Sequence, residues 1–195
     1  MPIDKLPVET IRRILEGGES MCAKAGIPVA GGHSIDSVEP IYGLVAIGIV
    51  DPRHLKRNAG ARAGDRLVLG KPIGVGVLSA ALKSGGLDAD AERAAYAALV
   101  GSATRLNAVG AELAALPGVH AMTDVTGFAL LGHGLEMCRG SGLGARIDFD
   151  ALPLLDGVAD LARAGTRTGA SIRNWASYGA EVDLAPGIAE WQRDL

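Results

Sequence analysis

Two short stretches of this chain hold residue types suited to phosphate and metal. The first is Gly31-Gly32-His33-Ser34-Ile35-Asp36, which follows a brief apolar run at 27–30. Paired glycines let a backbone approach a ligand closely, and their N–H groups can face phosphate oxygens. His33 and Ser34 add side-chain donors. The same spacing also fits an ordinary tight turn with a surface histidine. The second stretch is Thr123-Asp124-Val125-Thr126-Gly127, set between a predicted strand at 119–122 and a predicted helix from Phe128. An aspartate at a strand's C-terminal end, beside a helix N-terminus, suits Mg²⁺ or a phosphate site. Capping of that helix by Asp124 or Thr126 is an equally physical use of the same residues.

Other candidates carry less chemistry. In Lys71-Pro72-Ile73-Gly74-Val75-Gly76 the lysine precedes the glycines, the reverse of a Walker A loop, and a structural turn is expected. His133 is expected to pack within its helix rather than bind a ligand. Cys22 and Cys138 lie in helical patterns without a CxxC partner, so both are expected to act as small buried hydrophobes. No GxSxG, HExxH or Cys–His nucleophile pair is present.

The elements around these loops follow from hydrophobic periodicity. Residues 7–25 predict an amphipathic helix with Val8, Ile11, Ile14, Leu15 and Cys22 on roughly one face, stopped by Gly26. Residues 41–50 are apolar on both alternating faces and predict a strand buried on both sides. Further strands are predicted at 27–30, 66–70, 119–122 and 145–149. Helices are predicted at 75–83, 88–113, 128–139 and 155–164, with loop-like sequence after Gly165. Strands alternating with helices indicate an α/β or α+β fold. The polar, Ala- and Gly-rich run at 54–65 is a plausible domain junction.

Composition narrows the function classes. At 48% hydrophobic and 21% charged residues the chain is globular in character, not disordered. A net charge of −3 without a clustered basic face argues against a nucleic-acid binder. No apolar run reaches the roughly 18 residues of a membrane span. The Met1-Pro2-Ile3-Asp4-Lys5 start has no signal-peptide pattern, and the cytoplasm is the expected compartment.

Several segments together resemble the selenophosphate synthetase (selenide, water dikinase) family. They are AGIPVAGGHSID at 25–36, EPIYGLVAIGIV at 39–50, GDRLVLGKPIGVGVL at 64–78, MTDVTGFALLGHGLEM at 122–137 and RNWASYG at 173–179. The similarity covers nearly the whole chain in order. It places the chain in the PurM-like superfamily that also holds aminoimidazole ribonucleotide synthetase. GGHSID and RNWASYG favour the selenide enzyme over those relatives.

The resemblance implies a PurM-like, AIR-synthetase-like two-domain α/β (α+β) fold with mixed sheets. Residues 1–53 would be a remnant of the ATP-binding N-terminal domain, and 54–195 most of the C-terminal domain. It implies synthesis of selenophosphate from selenide, ATP and water, with release of AMP and orthophosphate. ATP and Mg²⁺ are the implied cofactors and a homodimer the implied assembly. Gly32, His33 and Ser34 are the implied ATP contacts and Asp124 the implied metal ligand.

Departures from the family pattern matter as much. The family's nucleophilic Cys or selenocysteine and its nearby Lys have no counterpart in these residues, and Cys22 stands in the wrong place. Most of the metal-binding aspartates and a Cys-Asp-Pro-Gln-Thr-Ser-Gly-Gly type motif are likewise unmatched. Ala129 replaces a glycine usual in TGFGLLGH, and 166–172 departs from a glycine-rich turn. The expectation is therefore a fragment inactive alone; a non-catalytic binding or assembly module of the same fold, or another ATP-using superfamily member, is the alternative.

Overall fold

The computed structural model describes residues 5–35 and 37–195. The first four residues, and Asp36 of the first candidate loop, lie outside the described residues. The chain divides into two compact units: Met1–Arg53 with Leu106–Ala108, and His54–Arg105 with Val109–Leu195.

In the first unit, α1 spans Val8–Lys24. Arg12 bridges Glu9 at 2.8 Å and also Glu16, three and four residues away on one helix face. The helix stops as its sequence predicts. Gly26 takes a left-handed φ of 70°, Gly26 N–H donates to Ala23 O and Ile27 N–H to Cys22 O, both at 3.0 Å. That pair of bonds closes the last turn, and glycine adopts the required φ without a Cβ clash. Ile11, Ile14, Met21 and Cys22 form a half-buried stripe. Gly18 is buried because the Tyr42 ring lies across it, where a Cβ would overlap the phenol.

The sequence predicts strands at 27–30, 41–50, 66–70, 119–122 and 145–149. Among the described residues no strand forms, and the only bridge outside helices is an isolated parallel one between Ile73 and Leu154. Residues 41–50 are exposed throughout: Val45, Ile47 and Ile49 are 90%, 94% and 105% exposed. A strand is a pairing, and its N–H and C=O groups need a neighbour. The described residues supply none for 41–50, so a segment expected to be buried on both faces is open on both.

In the second unit, α2 (Val75–Ser84), α3 (Ala89–Ala103) and α6 (Val158–Arg163) form the core. Leu78 and Val158 are fully buried, with Val77 and Ala95 beside them. Each large side chain so buried contributes about 1.5–3 kcal/mol relative to exposure. Asp88 caps α3, accepting from Asp90 N at 3.0 Å and Ala91 N at 2.9 Å. The single helix expected over 88–113 is two, because α3 ends at Ala103 and α4 (Val109–Ala115) begins after a break. Lys71 donates to Ser102 O at 3.3 Å and to Arg105 O. Its charge meets carbonyls at the negative end of α3, a structural role.

The Lys71–Gly76 stretch is a turn, as expected. Ile73 N–H donates to Pro153 O at 2.9 Å and Leu155 N–H to Ile73 O at 3.0 Å. These bonds bring α6 onto α2. Gly157, with φ 77°, starts α6 three residues later than predicted. Helix α7 (Gly169–Tyr178) occupies sequence expected to be loop-like; Thr168 caps it, accepting from Ser171 N at 3.1 Å. Helices α5 (Ala129–Ser141) and α8 (Glu190–Arg193) complete the unit.

Gly74 sits at φ 119°, and a Cβ there would collide with both methyls of Val158. Gly74→Ala combines backbone strain with displacement of a fully buried side chain. The expected loss is roughly 1–3 kcal/mol, the scale of one strained residue. Urea denaturation of wild type and variant checks it; equal midpoints would mean the α2–α6 contact does not depend on the missing side chain.

Candidate functional site

The two candidate loops fall in different units, and each stands by itself. Gly32, His33 and Ser34 lie in the exposed chain after α1. Neither His33 nor Ser34 has a side-chain partner among the described residues. A Cβ added at Gly32 would meet nothing within 4 Å, and its φ lies outside the left-handed region. Neither packing nor backbone strain therefore demands glycine at this position.

The second loop is held from several sides. Its lead-in is anchored where Met122 N–H donates to Arg57 O at 3.0 Å. Two residues earlier, His120 Nδ1 lies 2.9 and 3.0 Å from the Asp65 carboxylate oxygens. Asp65 also accepts from Arg62 N at 2.8 Å. Those contacts hold the Asp65 carboxyl below the usual aspartate range, the backbone donor first and His120 second.

Within the loop, Thr126 Oγ1 lies 3.1 Å from His133 Nε2, and His133 Nδ1 lies 3.0 Å from Glu136 Oε2. A carboxylate only accepts, so Glu136 accepts a hydrogen bond from Nδ1–H, and with that tautomer Nε2 accepts from the Thr126 hydroxyl. His133 is buried, 8% exposed, with the Phe128 ring 5.7 Å away. It packs within its helix, as its position predicts. From α7, Asn174 Nδ2 donates to Gly127 O at 2.9 Å. Tyr178 Oη donates to Phe128 O at 2.9 Å, and burial pushes the Tyr178 hydroxyl pKa up. Ala129 sits at a left-handed φ of 59°.

Asp124 is exposed and has no hydrogen bond or ion pair among the described residues. Phe128 occupies the N-cap position of α5 without a side-chain cap bond, while Thr126 is engaged by His133. Capping by Asp124 or Thr126 is thus excluded. The carboxylate is left as a hard oxygen donor facing solvent. The described residues contain no group of three or more His, Cys, Asp or Glu able to hold a metal ion. A cleft of about 410 Å³ beside α8 contains neither loop. Its charged lining is already paired, with Arg167 Nη1 2.9 Å from Asp194 and Arg163 Nη1 3.0 Å from Asp160. No described helix is long and apolar enough to cross a membrane.

The sequence marks Asp124 as a candidate and gives no role to Asn174 or Tyr178. Their spacing held a signal: residues four apart share a helix face.

Family models match most of the chain. The AIR synthase related protein N-terminal domain matches residues 1–50, and its C-terminal domain matches residues 62–169. A selenide, water dikinase of Burkholderia ambifaria (strain MC40-6) is 66% identical over 188 residues, 96% of this chain and 52% of that protein. The Pseudomonas straminea enzyme of the same name is 63% identical over 195 residues, 100% of this chain and 54% of the relative. That of Rhizobium meliloti (strain 1021) is 57% identical over the same length, 55% of the relative. The chain spans about half the length of the curated relatives it matches.

Asp65 gives a pH prediction. Its folded pKa lies below the unfolded value, so the unfolded state binds the proton more readily. The stabilisation is full above the ordinary aspartate pKa of about 3.9 and is lost as pH falls through the lowered folded value. Asp65→Asn should flatten this acid limb of stability. Urea midpoints at several pH values check it, and parallel curves for the two proteins would refute it.

Proposed function

The chain belongs to the AIR synthase related protein family, and on that footing we propose that it supplies about half of a selenide, water dikinase. The whole protein then forms selenophosphate from selenide, ATP and water, releasing AMP and orthophosphate. The observation that carries this is the identity of 66% and 63% to two selenide, water dikinases over 96% and 100% of this chain.

The two loops support the assignment in different ways. At Gly32 nothing in the fold requires glycine, which fits a backbone kept clear for a nucleotide phosphate, with His33 and Ser34 as unpartnered donors beside it. Asp124 fits a Mg²⁺ ligand: it is an exposed, unpartnered carboxylate in a loop held by other groups. Mg²⁺ usually takes one or two carboxylates and completes its shell with waters and phosphate oxygens. Asp124 alone is one donor of such a shell. When bound, the cation would neutralise phosphate charge; the chain's own residues position the oxygens that meet it.

The mixed sheets of the family fold and the homodimer belong to the same proposal. Residues 41–50 have the composition of a buried strand and no partner among the described residues. A strand from a second copy would satisfy their backbone groups and cover their side chains.

Two measurements test these points. The first places the 195 residues in the matching segment of the Burkholderia ambifaria enzyme and follows selenide-dependent AMP formation. The hybrid should turn over, and Asp124→Asn within it should lower the rate at least about 100-fold, the scale of losing one electrostatic contact to the transition state. A folded but inactive hybrid, or an Asn variant at full rate, would overturn the assignment. The second is sedimentation of the chain alone at micromolar concentration. A dimer or larger assembly is expected, shifted toward monomer by Val45→Lys or Ile47→Lys. A clean monomer unaffected by either change would remove residues 41–50 as the contact.

A further inference from the structure

The loop that presents Asp124 leads into a strained residue and is held by three contacts. Ala129 at φ 59° begins α5 in a conformation costing an L-residue roughly 1–2 kcal/mol. Such a residue persists only where its surroundings over-determine it. Here the surroundings are specific. Asn174 and Tyr178, one turn apart on α7, donate to the consecutive carbonyls of Gly127 and Phe128, both at 2.9 Å. His133, oriented by Glu136, takes the Thr126 hydroxyl. Three successive residues, 126–128, are thus each gripped by a different side chain just before the strained position. Asp124, two residues upstream, is left unpartnered.

We propose that Asn174 and Tyr178 are positioning residues that hold the 124–128 loop against the strain at Ala129, fixing where the Asp124 carboxylate is offered to a divalent cation. The cation half rests on the function proposed above; the clamp rests on the geometry of α5, α7 and the loop. In this proposal Asn174 and Tyr178 bond the main chain and not the cation. Their effect runs through two main-chain carbonyls. Gly132 marks how closely α7 must approach, because a Cβ there would lie 3.0 Å from the Tyr178 ring.

Amide hydrogen exchange on the 195-residue chain, in a double-mutant cycle with Ala129→Gly, separates this from an ordinary packing role. Asn174→Ala, and separately the isosteric Tyr178→Phe, should speed exchange at residues 124–128 by roughly five- to tenfold, the scale of one hydrogen bond. Exchange in α2 and α6 should stay unchanged. In the Ala129→Gly background the same changes should accelerate the loop by only about twofold, because glycine removes the strain the clamp opposes. Unchanged loop exchange, uniform acceleration along the chain, or equal acceleration in both backgrounds would each overturn the clamp. Tyr178→Phe keeps the ring and so decides the matter if Asn174→Ala fails to fold.

Titration with Mn²⁺ alone tests the cation half separately. Line broadening at the Asp124 and Val125 amides, abolished by Asp124→Asn, is expected. No broadening in the wild type would overturn the cation role while leaving the exchange cycle to judge the clamp.

Discussion

The close approach of Val158 to Gly74 constrains most of the second unit. It exists because position 74 has no side chain and a backbone only glycine holds easily. Once α6 is seated on α2, the chain leaving α6 must pass α2 again. Thr168 does so with its methyl 3.1 Å from the place a Cβ on Gly76 would take. Thr168 is also the cap of α7. The path from core to site therefore runs through a glycine contact, a short helix and a capping threonine. It ends at Asn174 and Tyr178, which reach the carbonyls before α5.

Much of the helical frame was legible in the sequence. The apolar period of 3.6 marks α1, α2 and α5, and Gly26, Gly85 and Gly142 close them at left-handed φ. Misses came where local chemistry overrode the pattern. Helix α7 is built from Gly169, Ser171 and Asn174, poor helix formers, and exists through its Thr168 cap and its packing beside α5. The 88–113 stretch reads as one helix, yet it carries Gly101, Asn107 and Gly110, and the Thr104 hydroxyl folds back onto Val100 O at 2.7 Å where α3 ends.

The strands fail for another reason. Alternating apolar residues tell which way side chains point; they do not supply the neighbour that makes a strand. Leu67 and Val68 show it as clearly as 41–50, for both are apolar, both lie in a predicted strand, and both are exposed. The site divides along the same line. Asp124 could be found from its place between an apolar run and a helix. The grip of Asn174 and Tyr178 depends on α7 lying beside α5, a tertiary fact that a motif at 173–179 names without explaining.

On the proposed function, this division has a chemical sense. Phosphoryl transfer asks little covalent work of a protein and much positioning of charge. A misplacement of about 1 Å can cost on the order of 100-fold in rate. A lone exposed carboxylate on a free loop would sample many positions and offer little. The same carboxylate on a loop gripped at three successive residues offers one. On that reading the placing of Asp124 depends on Asn174 and Tyr178, which bond the main chain of its loop. A chain can therefore keep the acidic motif and lose its use through a change in α7, which comparison of the acidic motif alone would not register.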